Sequence, residues 1–196
     1  MKANRFSFLR TDRTRGRMPA WIQTVSGRKL PLLKIDPDAI LIDGIAHALS
    51  MLCRFNGQCE RFYSVAEYSV HVSYEIRLDL AMVGLMHDAA EAHLGDVPSP
   101  LKGQLRDFPV IEATLIRAIA AKFGFRHPEK ETDQARELKR ADVQLLIDEK
   151  AVIMAPEPEP PGAPPIKDPN RIECWSPEVA KARFLERFRE FNGKRD

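Results

Sequence analysis

Residues 79–94, DLAMVGLMHDAAEAHL, are apolar around most of a helical circumference, the mark of a helix enclosed on every side. Yet His87, Asp88 and Glu91 interrupt that apolar surface. Charged groups are seldom fully buried unless they are paired or bound to a cation. This segment therefore constrains both the centre of the fold and its chemistry. Glu91 lies four residues after His87 and three after Asp88, a spacing that turns all three toward one pocket on a helix. A core His–Asp pair bonded to neighbouring backbone is the alternative. A second anomaly lies far along the chain, in LKRADVQLLIDE at residues 138–149. There Leu138, Ala141 and Leu145 form the apolar face and Asp142 sits in its middle, which asks for a cation or a strong donor. An ion pair with an arginine would also answer it. Two such carboxylates on distant helices favour one shared metal ion over two separate accidents.

The remaining pattern is mainly helical. Trp21–Ile35 reads as a short N-terminal β-hairpin turning at Ser26–Gly27. Helices are predicted near Ala39–Cys53, Ser64–Leu78, Asp79–Leu94, Val110–Phe123 and Glu131–Ala151. Ser64 and Glu67 have capping-box spacing. Asp79–Leu94 is the expected central buried helix, closed by Gly95, with Pro98 and Pro100 barring its continuation. Pro156–Pro169 is proline-dense and reads as a loop. A last helix starts at Ser176-Pro177 and carries Phe184, Leu185, Phe188 and Phe191 as a stripe expected to dock on the core. The organisation predicted is a basic arm over 1–18, one domain over 19–154, a Pro-rich loop over 155–170, and a docking C-terminal helix over 171–196.

At 196 residues the chain is long enough to bury a core without disulfides. Cys53, Cys59 and Cys174 are odd in number and lack CxxC spacing, which excludes a zinc finger or a thioredoxin-like site and suits a reducing compartment. The net charge of +2 gives no reason to expect nucleic acid as a partner. Arg5, Arg10, Arg13, Arg15 and Arg17 read as a solvated arm. Neither a signal peptide nor a membrane-spanning stretch is visible, so a soluble, cytoplasmic protein is expected.

Four segments in order, Arg54-Phe55-x-Gly57, Ser64–Glu67, His87–Lys102 (HDAAEAHLGDVPSPLK) and Ala141-Asp142-x-x-Leu145-Leu146, resemble the HD-domain superfamily. Within it they are similar to the 5′-nucleotidase-like phosphohydrolases, over roughly residues 21–150 plus the last helix. The resemblance implies a helical bundle with an H…HD…D metal site, in which His87, Asp88 and Asp142 are ligands of one divalent ion (Zn, Mn, Co, Fe or Mg). It implies Glu91 as the carboxylate beside the attacking water and Asp96 as a second acidic residue near the leaving sugar oxygen. It further implies Arg54 and Lys102 as phosphate contacts and Phe55 as a ring near the nucleoside. The activity implied is hydrolysis of a phosphate ester or anhydride of a nucleotide by metal-activated water. Homo-oligomers are common among such nucleotidases, so a homo-oligomer is implied as well.

The chain departs from that pattern at two histidines: Tyr68 follows Val65-Ala66-Glu67, and Gln58 follows Gly57. Tyr68 thus holds the position of the first metal ligand, which makes a catalytically weakened, nucleotide-binding sensor the alternative. His71, one turn later, rotates away from the stripe of Val65, Val72 and Ile76 and is expected at the surface. His47, His93 and His127 carry no functional signal.

Overall fold

A computed structural model describes residues 21–156 and 162–192 of the chain. The basic arm therefore lies outside the described residues. The fold is mainly helical, with a short N-terminal hairpin. Strands β1 (Trp21–Gln23) and β2 (Lys29–Pro31) pair antiparallel, Ile22 opposite Leu30. Gly27, at φ 79°, takes the left-handed conformation that the turn requires. Leu30 is fully buried, so the hairpin is pinned to the helices by one side chain.

Helix α1 (Ile42–Met51) follows a single 3-10 turn over Pro37–Ala39. Helix α2 (Val65–Glu75) begins where the Ser64 hydroxyl accepts the Glu67 N–H, as the capping-box spacing predicted. Its residues Val65–Ser73 are all buried, so α2 rather than the 79–94 segment is the central helix. That segment is not one helix. It forms a 3-10 turn over Leu78–Leu80, α3 (Ala81–Met86), a bend at residues 87–90, and α4 (Glu91–Leu94). In the bend the N–H groups of Ala89, Glu91 and His93 reach back three residues rather than four. The apolar sequence encoded burial correctly, but burial on all sides suits a broken helix as well as a straight one.

Gly84 sets the approach of α3 to α2. A Cβ there would stand 3.0 Å from Ile76 Cγ2 and 3.1 Å from the Ser73 Cα and the Val72 carbonyl. Short α5 (Ser99–Lys102) leads to α6 (Phe108–Phe123), which ends at left-handed Gly124. Then α7 (Asp133–Ile153) starts at Thr132, whose hydroxyl accepts the Ala135 N–H.

The last helix, α8 (Pro177–Asn192), docks on α1, α2 and α3 through buried Ala180 and Phe184. Its tie to α2 is electrostatic too. The fully buried Glu67 carboxylate accepts the N–H groups of Glu173, Cys174 and Trp175 at 3.1, 3.0 and 2.6 Å. Buried Asp148 similarly accepts the N–H groups of Lys167 and Asp168 and pairs with Arg171 at 2.6 Å. Two buried carboxylates thus secure the chain that follows the Pro-rich loop. Among the described residues no helix is long and apolar enough to cross a membrane.

Candidate functional site

Three elements bring Tyr68, His87, Asp88 and Asp142 together. Tyr68 projects from the middle of α2, Asp142 from α7, and His87 and Asp88 from the bend after α3. The Tyr68 hydroxyl donates to Asp142 Oδ1 at 2.6 Å and lies 3.3 Å from His87 Nε2. His87 Nε2 is also 3.2 Å from Asp88 Oδ2, and its Nδ1–H donates to the Gly84 carbonyl at 2.8 Å. The phenol has one proton, and the 2.6 Å bond spends it on Asp142. An imidazolium at His87 would donate from Nε2 toward Asp88 as well as from Nδ1. Burial opposes that charge, but the Asp88 carboxylate outweighs burial and pushes His87 up to about 9. Burial and the Asp88 charge together drive the Tyr68 phenol well above its ordinary range, so it stays protonated.

Asp142 is not enclosed in apolar surroundings as its place on the helix suggested. Its side chain is 29% exposed, and Lys139 holds its second oxygen at 2.6 Å. The donors that answer its charge are thus a phenol and a lysine rather than an arginine.

Glu91 opens the other side of the centre. It is buried, with Oε1 accepting from Lys102 at 3.1 Å and Oε2 without a partner. Burial, with the Asp88 and Asp96 charges, raises its carboxyl to about 8, so it carries a proton at neutral pH. Asp96 is raised too, chiefly by burial. Lys102 also donates to Glu112 at 2.8 Å, so its ammonium is shared by two carboxyl groups. Glu91, Lys102 and Glu112 line a cleft of ≈ 580 Å³, and Asp96 does not. His87 and Asp88 line it too, with Arg117, His127 and Lys130 and with Pro109, Ile116 and Leu138. The volume falls in the range of small-ligand pockets.

Two expected phosphate and nucleoside contacts lie elsewhere. Arg54 does not line the cleft. Its guanidinium lies 3.6 Å from the Tyr68 ring centroid and pairs with Glu149 at 2.9 Å. Phe55, at φ 55°, packs against the cluster of Tyr63, Tyr68 and Leu145 behind the centre. His71 is buried rather than at the surface, 3.6 Å from Glu67 and against the Trp175 ring. It stands apart from the centre. The residues that sequence reasoning missed are Glu149, Glu112, Arg117, Lys130 and His127. Glu149 carried a usable signal, since it lies seven residues after Asp142 and so on the same face of α7.

The ion implied for His87, Asp88 and Asp142 does not fit this arrangement. The Tyr68 hydroxyl stands between the His87 ring and Asp142, in the space such an ion would take. Among the described residues no three His, Cys, Asp or Glu side chains are placed to hold a metal ion.

No family model matches the chain. The uncharacterized protein YfdR of Escherichia coli (strain K12) is 34% identical over 177 residues, which cover 88% of this chain and 96% of that protein. The chain belongs to the YfdR family. A second relative of this YfdR-family chain is an uncharacterized protein of Rhodobacter capsulatus. It is 36% identical over 115 residues, 54% of this chain and 59% of that protein.

Proposed function

We propose that this protein binds a (deoxy)nucleotide in the ≈ 580 Å³ cleft, on a scaffold of the HD phosphohydrolase type, with its hydrolytic centre closed. The observation that carries binding is the polar lining of the cleft, where protonated Glu91 sits beside Lys102. An ionised glutamate there would repel a phosphate dianion, whereas the neutral acid can donate to it. Lys102, Arg117 and Lys130 supply positive charge to the lining, and Pro109, Ile116 and Leu138 offer apolar surface for a base. Closure is supported by Tyr68, whose hydroxyl donates to Asp142 and lies against His87, two of the groups that a metal-activated water mechanism would use.

The second reading is turnover, as a metal-dependent nucleotide phosphohydrolase. Glu91 favours it, because a carboxyl near pKa 8 can give a proton to a leaving sugar oxygen or, once ionised, take one from water. One pair of measurements separates the two. Equilibrium dialysis of the purified chain against nucleoside mono- and triphosphates reads binding, and phosphate release with Mn²⁺, Co²⁺ or Mg²⁺ added reads turnover. Binding without release supports the closed centre. Release abolished by Asp88→Ala and Glu91→Ala supports the hydrolase, and neither binding nor release removes both.

A further inference from the structure

We infer that the Tyr68 hydroxyl takes the place of the cation in this centre, so that the resting protein excludes a divalent ion and a histidine at position 68 would admit one. The inference rests on the reading above of a phosphohydrolase-type scaffold and explains how its centre is closed.

Position is the first support. The hydroxyl lies within hydrogen-bonding distance of Asp142 on α7 and of His87 in the bend after α3, and Asp88 is 3.2 Å from the same His87 nitrogen. One oxygen therefore bridges two of the groups that an ion would have linked, Asp142 and His87, and Asp88 is reached through His87.

Charge is the second. Asp142 is already countered by Lys139 at 2.6 Å, and the Arg54 guanidinium lies 3.6 Å from the Tyr68 ring centroid, held there by Glu149. Asp142 therefore already has a cation beside it, and a divalent ion would also approach the buried Arg54 guanidinium.

Burial is the third. Tyr68 is 1% exposed and packs with Val72, Leu145 and Ile153. Swinging its ring aside would separate α2 from α7 and open a cavity in the core, so an ion cannot enter by simple side-chain rotation. A histidine is shorter than tyrosine by the reach of the phenol. It would bring a lone pair toward the centre and leave the space that the hydroxyl now fills.

The test uses the full chain as wild type, Tyr68→His and Tyr68→Phe, each confirmed folded by far-UV circular dichroism. Each is loaded with Mn²⁺ or Zn²⁺ and dialysed. Bound metal is then counted by elemental analysis, and the melting temperature is read with and without the ion. Wild type is expected to retain less than about a tenth of an ion per chain and to show no shift. Tyr68→His is expected to retain about one ion and to gain roughly 5 °C or more. Tyr68→Phe, which lacks only the hydroxyl, is expected to hold no less metal than wild type. A wild type that carries one ion, lost in Tyr68→Phe, would make the phenol a ligand and overturn the inference. So would a folded Tyr68→His that gains nothing. Should Tyr68→His fail to fold, stoichiometric metal on wild type still overturns it, and its absence there together with no loss in Tyr68→Phe supports it. These readouts involve no nucleotide. A protein that gains an ion on Tyr68→His but binds no nucleotide would sink the functional reading and leave this one standing.

Discussion

Arg54 and Glu149 meet at 2.9 Å across 95 positions of sequence, the glutamate fully buried and the arginine 12% exposed, with the Tyr68 ring beneath the guanidinium. With the Tyr68–Asp142 bond, this contact closes a circuit. Helix α7 supplies a carboxylate at each end, and Arg54 and Tyr68 stack between them.

Breaking the pair from one side leaves a charge with no partner. Glu149→Ala is expected to destabilise the protein by about 3–5 kcal/mol, the usual cost of stranding one member of a buried ion pair. The double variant Arg54→Met, Glu149→Leu should recover much of that loss. Urea denaturation of the two variants against wild type provides the measurement, and equal losses in single and double variants would contradict it.

Glu67 is the corresponding hold on the C-terminal part. Glu67→Ala removes the acceptor of three backbone N–H groups, each such bond to a charged group contributing roughly 1.5–3 kcal/mol. The expected loss is at least about 3 kcal/mol. Hydrogen exchange at Glu173, Cys174 and Trp175 should accelerate more than exchange within α6. Uniform acceleration would show that the tie is not local.

Acid should act through Asp148. Burial alone would raise its carboxyl, but the Lys167 N–H, the Arg171 guanidinium and the Asp168 N–H outweigh burial and hold it below the ordinary range. A depressed carboxylate contributes stability that is complete above its unfolded value, near ~3.9, and is lost as pH falls through the folded value. Melting temperature should therefore drop below about pH 4, and Asp148→Asn should flatten that part of the profile. An unchanged slope in Asp148→Asn would assign the acid loss to other groups.

Glu91 predicts the opposite limb for ligand binding. With its carboxyl near 8, nucleotide affinity should be steady at pH 6–7 and weaken as pH rises past about 8 and the group ionises beside the phosphate. Glu91→Gln keeps the neutral form at every pH, so its affinity should lose this dependence. Titrations at pH 6.5 and about 9 on both proteins decide it; parallel curves would remove Glu91 from the ligand site.

Much of the fold was legible because helices announce themselves by period. The capping of α2 by Ser64, the docking of α8 through Phe184 and the turn at Gly27 all follow from local pattern. The break at residues 87–90 was not, since a segment apolar on all sides has no face whose phase a kink would disturb. The meeting of Asp142 with His87 and Asp88 was expected from carboxylates set in apolar stripes, and the place of position 68 among them only from the resemblance. Their actual partners were not. Lys139 and the Tyr68 hydroxyl answer Asp142, and Glu149 claims Arg54, through contacts fixed by how α2 and α7 cross. Likewise His71 looked exposed on the wheel of its own helix, and only the arrival of Trp175 buries it.

The bonds from Glu67 to residues 173–175 also bear on the order of assembly during translation. Domains build from the N-terminal end as the ribosome advances, yet the buried carboxylate on the helix that carries Tyr68 lacks its three backbone donors until residues 173–175 have emerged. A truncated product would expose that charge and the surface meant for α8. The N-terminal end of α2 is therefore not fully bonded until residues 173–175 have been made.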